Sequence, residues 1–220
     1  MFPALRAANG VLGPVQITDQ TAALHAGSDC VQSSYDAHTV FCPYLPRIVA
    51  HLGDGNDSLA PGAGSTGGFY GSAQPAETVY TGTGVNTVWG SEKADLQVGQ
   101  GTDDTLIGWG GNDRLIIGSG QAYGADGNDQ LIVAKRASSN GCQGETTSLF
   151  GGPGNDTFSS QTSSGCSSWF GGLGNDLFLI RPPYGNTSVQ CGPGVDVEQQ
   201  LIKQPIPGIS GYRAGARDYC

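Results

Sequence analysis

Positive charge is scarce in this chain: ten Lys and Arg are scattered over 220 residues, with no run longer than Lys135-Arg136. A surface that tracks phosphates needs clustered cations to release counterions. Neither nucleic acid nor an anionic membrane surface is therefore expected as a partner. Long apolar runs are missing too, and none approaches the ~20 residues that cross a bilayer. The opening MFPALRAANGVLGPVQIT has no compact apolar core, so no signal peptide is visible there. Glutamate is nearly absent: of 19 acids, 15 are Asp and 4 are Glu. Asp favours loops and oxygen-ligand sites over helices, which argues against a helical protein. There is no C-x-x-C pair, and the cysteines stand apart from His25, His38 and His51, which removes a zinc site. H-E-x-x-H, G-x-S-x-G and G-x-x-x-x-G-K-[ST] are also missing. GAGSTGG (62–68) lacks the lysine of a phosphate loop and reads as a plain loop. No enzymatic activity is expected.

What the chain has in excess is glycine, 37 of 220 residues, against a usual ~7%. Glycine brings no side chain to a core, so its excess points to backbone conformations that other residues resist. The charge balance is acidic, −9 formally.

An internal period explains both features. LGDGNDSLA (52–60), GADGNDQLI (124–132), GGPGNDTFS (151–159) and GGLGNDLFL (171–179) share the pattern G-G-x-G-x-D-x-U-x, with U a large apolar residue. GWGGNDRLI (108–116) is a weaker copy, and CGPGVDVEQ (191–199) carries Glu198 at the U position. These nonapeptides resemble those of the RTX, or haemolysin-type calcium-binding, family. The resemblance covers roughly residues 52–199.

The acids before each apolar strand residue are Asp57, Glu77, Asp95, Asp113, Asp129, Asp156, Asp176 and Asp196, at intervals of 20, 18, 18, 16, 27, 20 and 20. Two nine-residue units make one turn, so these acids are expected to form one column along a solenoid. The interval of 27 contains AKRASSNGCQGE, an insertion expected to bulge from the opposite edge. Asn86 and Asp104 suggest a second, shorter column half a turn away. Short β-type runs (TVY, TVW, TLI, RLII, QLIV, SLF, SWF, LFLI, SVQ) recur between the loops, too short for helices and right for two strands per turn. The expected fold is all-β: a right-handed parallel β-roll of seven or eight turns over 51–200, roughly 35–40 Å long at ~4.8 Å per coil. Residues 1–50 read as an N-terminal cap with a hairpin, and 201–220 as a C-terminal cap or tail.

Calcium takes six to eight oxygens, and the resemblance implies several Ca2+ ions held between stacked loops. Asp156, Asp176 and Asp196 form the best-supported run, with the loop glycines Gly151, Gly152, Gly154, Gly171, Gly172, Gly174 and Gly194 turning carbonyls inward. Asp113 and Asp129 continue it, with Asp126 in the same loop as Asp129. Asp57 opens the array, helped by Asp54, while Asn86 and Asp104 would serve the second column. Glu77 and Asp95 are weaker candidates because QPAETV and SEKADL lack the glycines. About five ions would offset the formal charge, so folding and metal binding should be coupled.

Six cysteines in even number suit disulfides and an oxidising, extracellular or cell-surface compartment. Spacing favours Cys30–Cys42, Cys142–Cys166 and Cys191–Cys220 among the connectivities possible. Cysteines depart from RTX proteins exported in one step, and favour a Sec-type relative. A regular Thr ladder, as ice binding would need, has only TGTGVNT to suggest it. Two functional readings remain. One is a calcium-binding structural protein that self-associates end to end as a fibre or surface-layer subunit. The other is a monomeric calcium-stabilised module that binds a surface glycan or protein through Tyr70, Tyr123, Trp109 or Trp169.

Overall fold

The computed structural model describes residues 6–7, 10–11, 15–19, 30–42, 47–60, 76–134, 146–161, 166–180, 187–206 and 209–217. Side chains are described for 30–41, 47, 49–60, 76–134, 146–161, 166–180 and 187–199. GAGSTGG, Tyr70, His25 and Cys142 lie outside these residues, as do the side chains of Cys42 and Cys220.

Alternating apolar residues in short runs give strands, and the loops between them send the chain back and forth between two sheets. The first sheet stacks Arg47–His51, Ala76–Tyr80, Leu96–Gly99, Arg114–Ile117, Gln130–Val133, Thr157–Ser160, Leu177–Ile180 and Val197–Ile206, every pair parallel. The second stacks Asp57–Ala60, Thr87–Trp89, Asp104–Gly110, Gly120–Asp126, Thr146–Pro153, Cys166–Leu173 and Thr187–Gln190, again all parallel. Each coil contributes one strand to each sheet. The chain is thus an all-β parallel solenoid, and no helix occurs among the described residues, so none there is long and apolar enough to cross a membrane.

Five successive coils, from Ala76–Tyr80 with Thr87–Trp89 to Thr157–Ser160 with Cys166–Leu173, have parallel neighbours on both sides in both sheets. That is fewer than the seven or eight turns expected from the spacing. The coils at either end are finished by antiparallel strands instead. At the N-terminal end Val15–Asp19 pairs antiparallel with Asp57–Ala60, followed by Thr39–Cys42 and Val31–Gln32. At the C-terminal end Val197–Ile206 turns back on itself as Ile209–Arg217.

Because strand side chains alternate between faces, each sheet sends one column of residues inward. Val79, Gln97, Leu115, Leu131, Phe158 and Phe178 are in register in the first sheet. Leu59, Val88, Leu106, Ala122, Leu149 and Trp169 face them from the second. All twelve are fully buried, and eleven are apolar. Gln97 is the exception. Outward-facing aromatics also stack in register, Tyr123 on Phe150 and Phe150 on Phe170, each with centroids 4.7 Å apart. The neighbouring outer column reads Thr87, Thr105, Gln121, Ser148, Ser168, Ser188, so no Thr ladder forms.

The glycine excess has a steric cause at the loop edge. Gly174 has φ +133, and a Cβ there would overlap the backbone carbonyl of Gly154 in the coil before. The second loop position also takes a left-handed φ, and there Trp109 (81°) and Ala125 (69°) stand where later coils have Gly152, Gly172 and Gly192. Gly53 offers a control, with φ +93 but nothing within 4 Å of an added Cβ. Gly53→Ala should cost only left-handed strain, about 1–2 kcal/mol. Gly174→Ala should cost on the order of 4 kcal/mol or more, because the carbonyl below is backbone and cannot step aside. Thermal melts that place the two variants together would refute this steric account.

Candidate metal centre

The acids expected in one column divide between two edges. Glu77, Asp95, Asp113, Asp129, Asp156, Asp176 and Asp196 stack where the chain enters the first sheet. Asp57 does not join them. It starts a strand of the second sheet, and its N–H donates to Asn86 Oδ1 (2.9 Å). The N–H of Asn86 donates in turn to Asp104 Oδ1 (3.0 Å). Asp57 therefore heads the shorter column on the opposite edge. The interval of 20 to Glu77 misled because residues 61–75 lengthen that coil, so a spacing near one turn hides a half-turn offset.

Within the main column every rung is tied to the next by the same bond. The backbone N–H of Glu77 donates to Asp95 Oδ1 at 2.6 Å, and that of Asp95 to Asp113 Oδ1 at 2.8 Å. Asp113 to Asp129, Asp129 to Asp156, Asp156 to Asp176 and Asp176 to Asp196 repeat it, each at 2.8 Å. An exposed asparagine ladder runs beside it in the opposite axial direction. The N–H groups of Asn128, Asn155, Asn175 and Val195 donate to Oδ1 of Asn112, Asn128, Asn155 and Asn175 in the preceding coils. Sequence reasoning passed over these asparagines, although N precedes D in five of the loops.

One oxygen of each acid from Asp95 to Asp196 is thus occupied, whereas Glu77 at the head of the column has both oxygens buried without a hydrogen bond and is pushed up to about 9 by burial and by Asp95 and Asp113. From Asp113 to Asp176 the other oxygen is not: Oδ2 of Asp113, Asp129, Asp156 and Asp176 is buried and accepts no hydrogen bond. Each of these oxygens lies against the first glycine of its own loop. At Gly108, the point a Cβ would fill lies within 2.7 Å of both Asp113 Oδ2 and the Gly124 carbonyl oxygen of the next coil. The same pairing recurs at Gly124 with Asp129 and Gly151, at Gly151 with Asp156 and Gly171, and at Gly171 with Asp176 and Cys191. A carboxylate oxygen with no protein donor and a carbonyl oxygen of the next coil thus approach one point at each rung. Such a place suits a proton or a hard cation.

Electrostatics agree with the geometry. Burial, reinforced by neighbouring acids, pushes Asp113 up to about 8 and Asp156 up to about 7. Burial also lifts Asp129 to about 6, with Asp126 adding to it, and raises Asp176. Hydrogen bonds from the preceding rung's N–H oppose these shifts without cancelling them.

The remaining predicted residues behave differently. Asp104 is satisfied by the protein alone: Oδ1 accepts from both nitrogens of Asn86, and Oδ2 from Gly101 N–H (2.8 Å) and Thr81 Oγ1 (3.0 Å). Asp54 is exposed and accepts from Thr83 Oγ1 (2.9 Å). Asp126 is exposed on the loop before Asp129. Gly152, Gly154, Gly172 and Gly194 all take left-handed φ, while Gly151 and Gly171 form the pockets just described. Trp169, a suggested surface contact, is wholly buried in the core. Among the described residues no three acidic, thiol or imidazole groups converge on one point. Any ion in the main column would rest on one or two carboxylates and otherwise on main-chain carbonyls and water.

No protein-family model, curated protein or solved structure matches this chain. The likeness to haemolysin-type repeats therefore rests on the nonapeptides themselves.

A carboxyl whose pKa rises on folding holds its proton more tightly in the folded chain. Stability then falls as pH climbs from the unfolded value near 3.8 through the folded one. With Asp129, Asp156, Asp113 and Glu77 raised to about 6, 7, 8 and 9, the chelator-treated protein should lose stability steadily between about pH 4 and pH 9. Melting temperatures in EGTA across that range will show it; a flat or rising profile is incompatible with these buried carboxyls.

Proposed function

We propose that the chain is an extracellular calcium-binding structural protein, a β-roll of the haemolysin type whose C-terminal coils are held together by Ca2+. The observation that carries this reading is the repeated rung of a buried, unpartnered carboxylate oxygen beside a carbonyl of the next coil. Asp113, Asp129, Asp156 and Asp176 would hold the ions with loop carbonyls, and Asp196 would close the series. Bound calcium would supply the charge that lets these carboxyls ionise inside the stack. The proposal gives the chain no catalytic step.

The extracellular placement rests on the cysteines. None of the described ones is a free thiol. The pairings Cys30–Cys42, Cys142–Cys166 and Cys191–Cys220 remain part of this proposal, because the side chain of one partner in each pair lies outside those described.

Between fibre and monomer, the ends of the solenoid favour the monomer. A coaxial fibre would continue both sheets from one copy into the next. At the C-terminal end the first sheet closes in the antiparallel strand Ile209–Arg217, and at the N-terminal end the second closes in Val31–Gln32. Among the described residues the outermost strands are Ile209–Arg217 and Arg47–His51 in the first sheet and Thr187–Gln190 and Val31–Gln32 in the second, so at each end one sheet stops in a parallel coil strand and the other in an antiparallel cap strand. A monomeric module whose second sheet turns the half-buried Tyr123 and the more exposed Trp109 outward fits these ends better.

Metal analysis of the purified protein should find several calcium ions, and EGTA should abolish much of the β-sheet circular dichroism. Size-exclusion chromatography in calcium should give a single monomeric peak. Absence of calcium together with an unchanged spectrum would end the calcium reading, and high-molecular-weight polymers would restore the fibre.

A further inference from the structure

The rung at Asp95 is built from the same column yet differs in every feature that matters. Its carboxylate has donors on both oxygens. Ser91 N–H donates to Oδ2 at 2.7 Å, and Ser91 Oγ lies 3.1 Å from Oδ2 and 3.2 Å from Oδ1. Glu77 N–H completes Oδ1.

The point that a Cβ on Gly90 would fill again lies beside a carboxylate oxygen and the next coil's carbonyl, Asp95 Oδ2 and Gly108 O. Here a third group reaches it, the side-chain nitrogen of Gln97, at 2.8 Å. Gln97 occupies the inward position that is Leu115, Leu131, Phe158 or Phe178 in later coils. Its amide donates to the Ile107 carbonyl (2.9 Å) and brings positive partial charge to the rung. A polar residue in an otherwise apolar column thus acquires a reason.

The loop itself also lacks the cradle. None of Ser91, Glu92, Lys93 and Ala94 has a left-handed φ, whereas the corresponding second and fourth positions do at Trp109 and Gly111, and at Gly172 and Gly174.

Resting on the calcium reading above, we propose that Ser91 and Gln97 replace the cation at Asp95 and so divide the solenoid. From Asp95 to Gly110 the acids on both edges are satisfied by protein donors, Asp95 by Ser91 and the Glu77 N–H and Asp104 by Thr81, Gly101 and Asn86, while Glu77 at the rung before keeps both carboxylate oxygens buried without a hydrogen bond. The coils from Asp113 onwards depend on bound cations. The N-terminal part is then a preformed platform on which the cation-dependent coils assemble.

Native mass spectrometry in calcium tests the division. Asp95→Asn should retain the full wild-type complement of ions, whereas Asp156→Asn should lose at least one. The double variant Ser91→Gly/Lys93→Gly, which restores the glycines of G-G-x-G-x-D, should gain one. Hydrogen exchange after EGTA should rise about tenfold or more in 114–133 and 157–180 while 76–110 stays within about twofold of the calcium-loaded protein. Loss of an ion from Asp95→Asn, or equal deprotection of 76–110, would overturn the division while leaving calcium binding intact. A wild-type protein with no calcium at all removes both.

Discussion

Everything in this solenoid depends on one bond repeated along its edge, the backbone N–H of one acid donating to the carboxylate of the acid in the next coil. A parallel stack needs help at its loops, because loop N–H groups at an edge face no strand partner and cannot stay unsatisfied when buried. The aspartate ladder satisfies one such donor per coil, toward the C-terminal neighbour. The asparagine ladder satisfies the adjacent donor toward the N-terminal neighbour. The coils of Asp129, Asp156 and Asp176 are therefore clasped from both sides by groups one residue apart, and the apolar columns within are brought into register by the same contacts.

That solution has an electrostatic cost. Aspartates one coil apart in a low-dielectric edge repel one another and lose hydration. Two remedies are visible in one molecule. At Asp95 and Asp104, serine, threonine, asparagine and glycine N–H groups surround the carboxylate. From Asp113 to Asp176 no such donors are present, and the second oxygen faces a carbonyl. The first offsets part of the burial penalty without an ion, although burial still raises Asp95, while the second leaves stability conditional on protons or metal. Only glycine loops leave room for the second, since a side chain at Gly108 or Gly151 would occupy the space.

Much of this was legible in the sequence. G-G-x-G-x-D-x-U-x, with strands every nine or ten residues, implies parallel coils, because no other arrangement puts the loops in register. The U residues Leu131, Phe158 and Phe178 fill the core as their positions suggest. The edge on which an acid falls was less accessible. Asp57 sits twenty residues before Glu77 yet on the opposite side, since spacing measures chain length and residues 61–75 added to it. Ser91 and Gln97 were invisible for another reason: as departures from a repeat they look like decay, and only the position of their donor atoms shows them to be replacements. Caps at both ends were expected from the residues outside the repeats, but not their antiparallel closure, which depends on which edge a strand meets in space.

The asparagine ladder stops at Val195, which donates to Asn175 but has no amide oxygen to offer onward. The last glycine loop is therefore a receiver and not a transmitter. The coils of Asp129, Asp156 and Asp176 carry both halves of the clasp, and each presents to its follower the same surface it meets in its predecessor. Such units are interchangeable parts: a lineage could lengthen or shorten the rod by whole coils between Asp113 and Asp176 without redesigning either end, as a zip gains or loses teeth while keeping its stops.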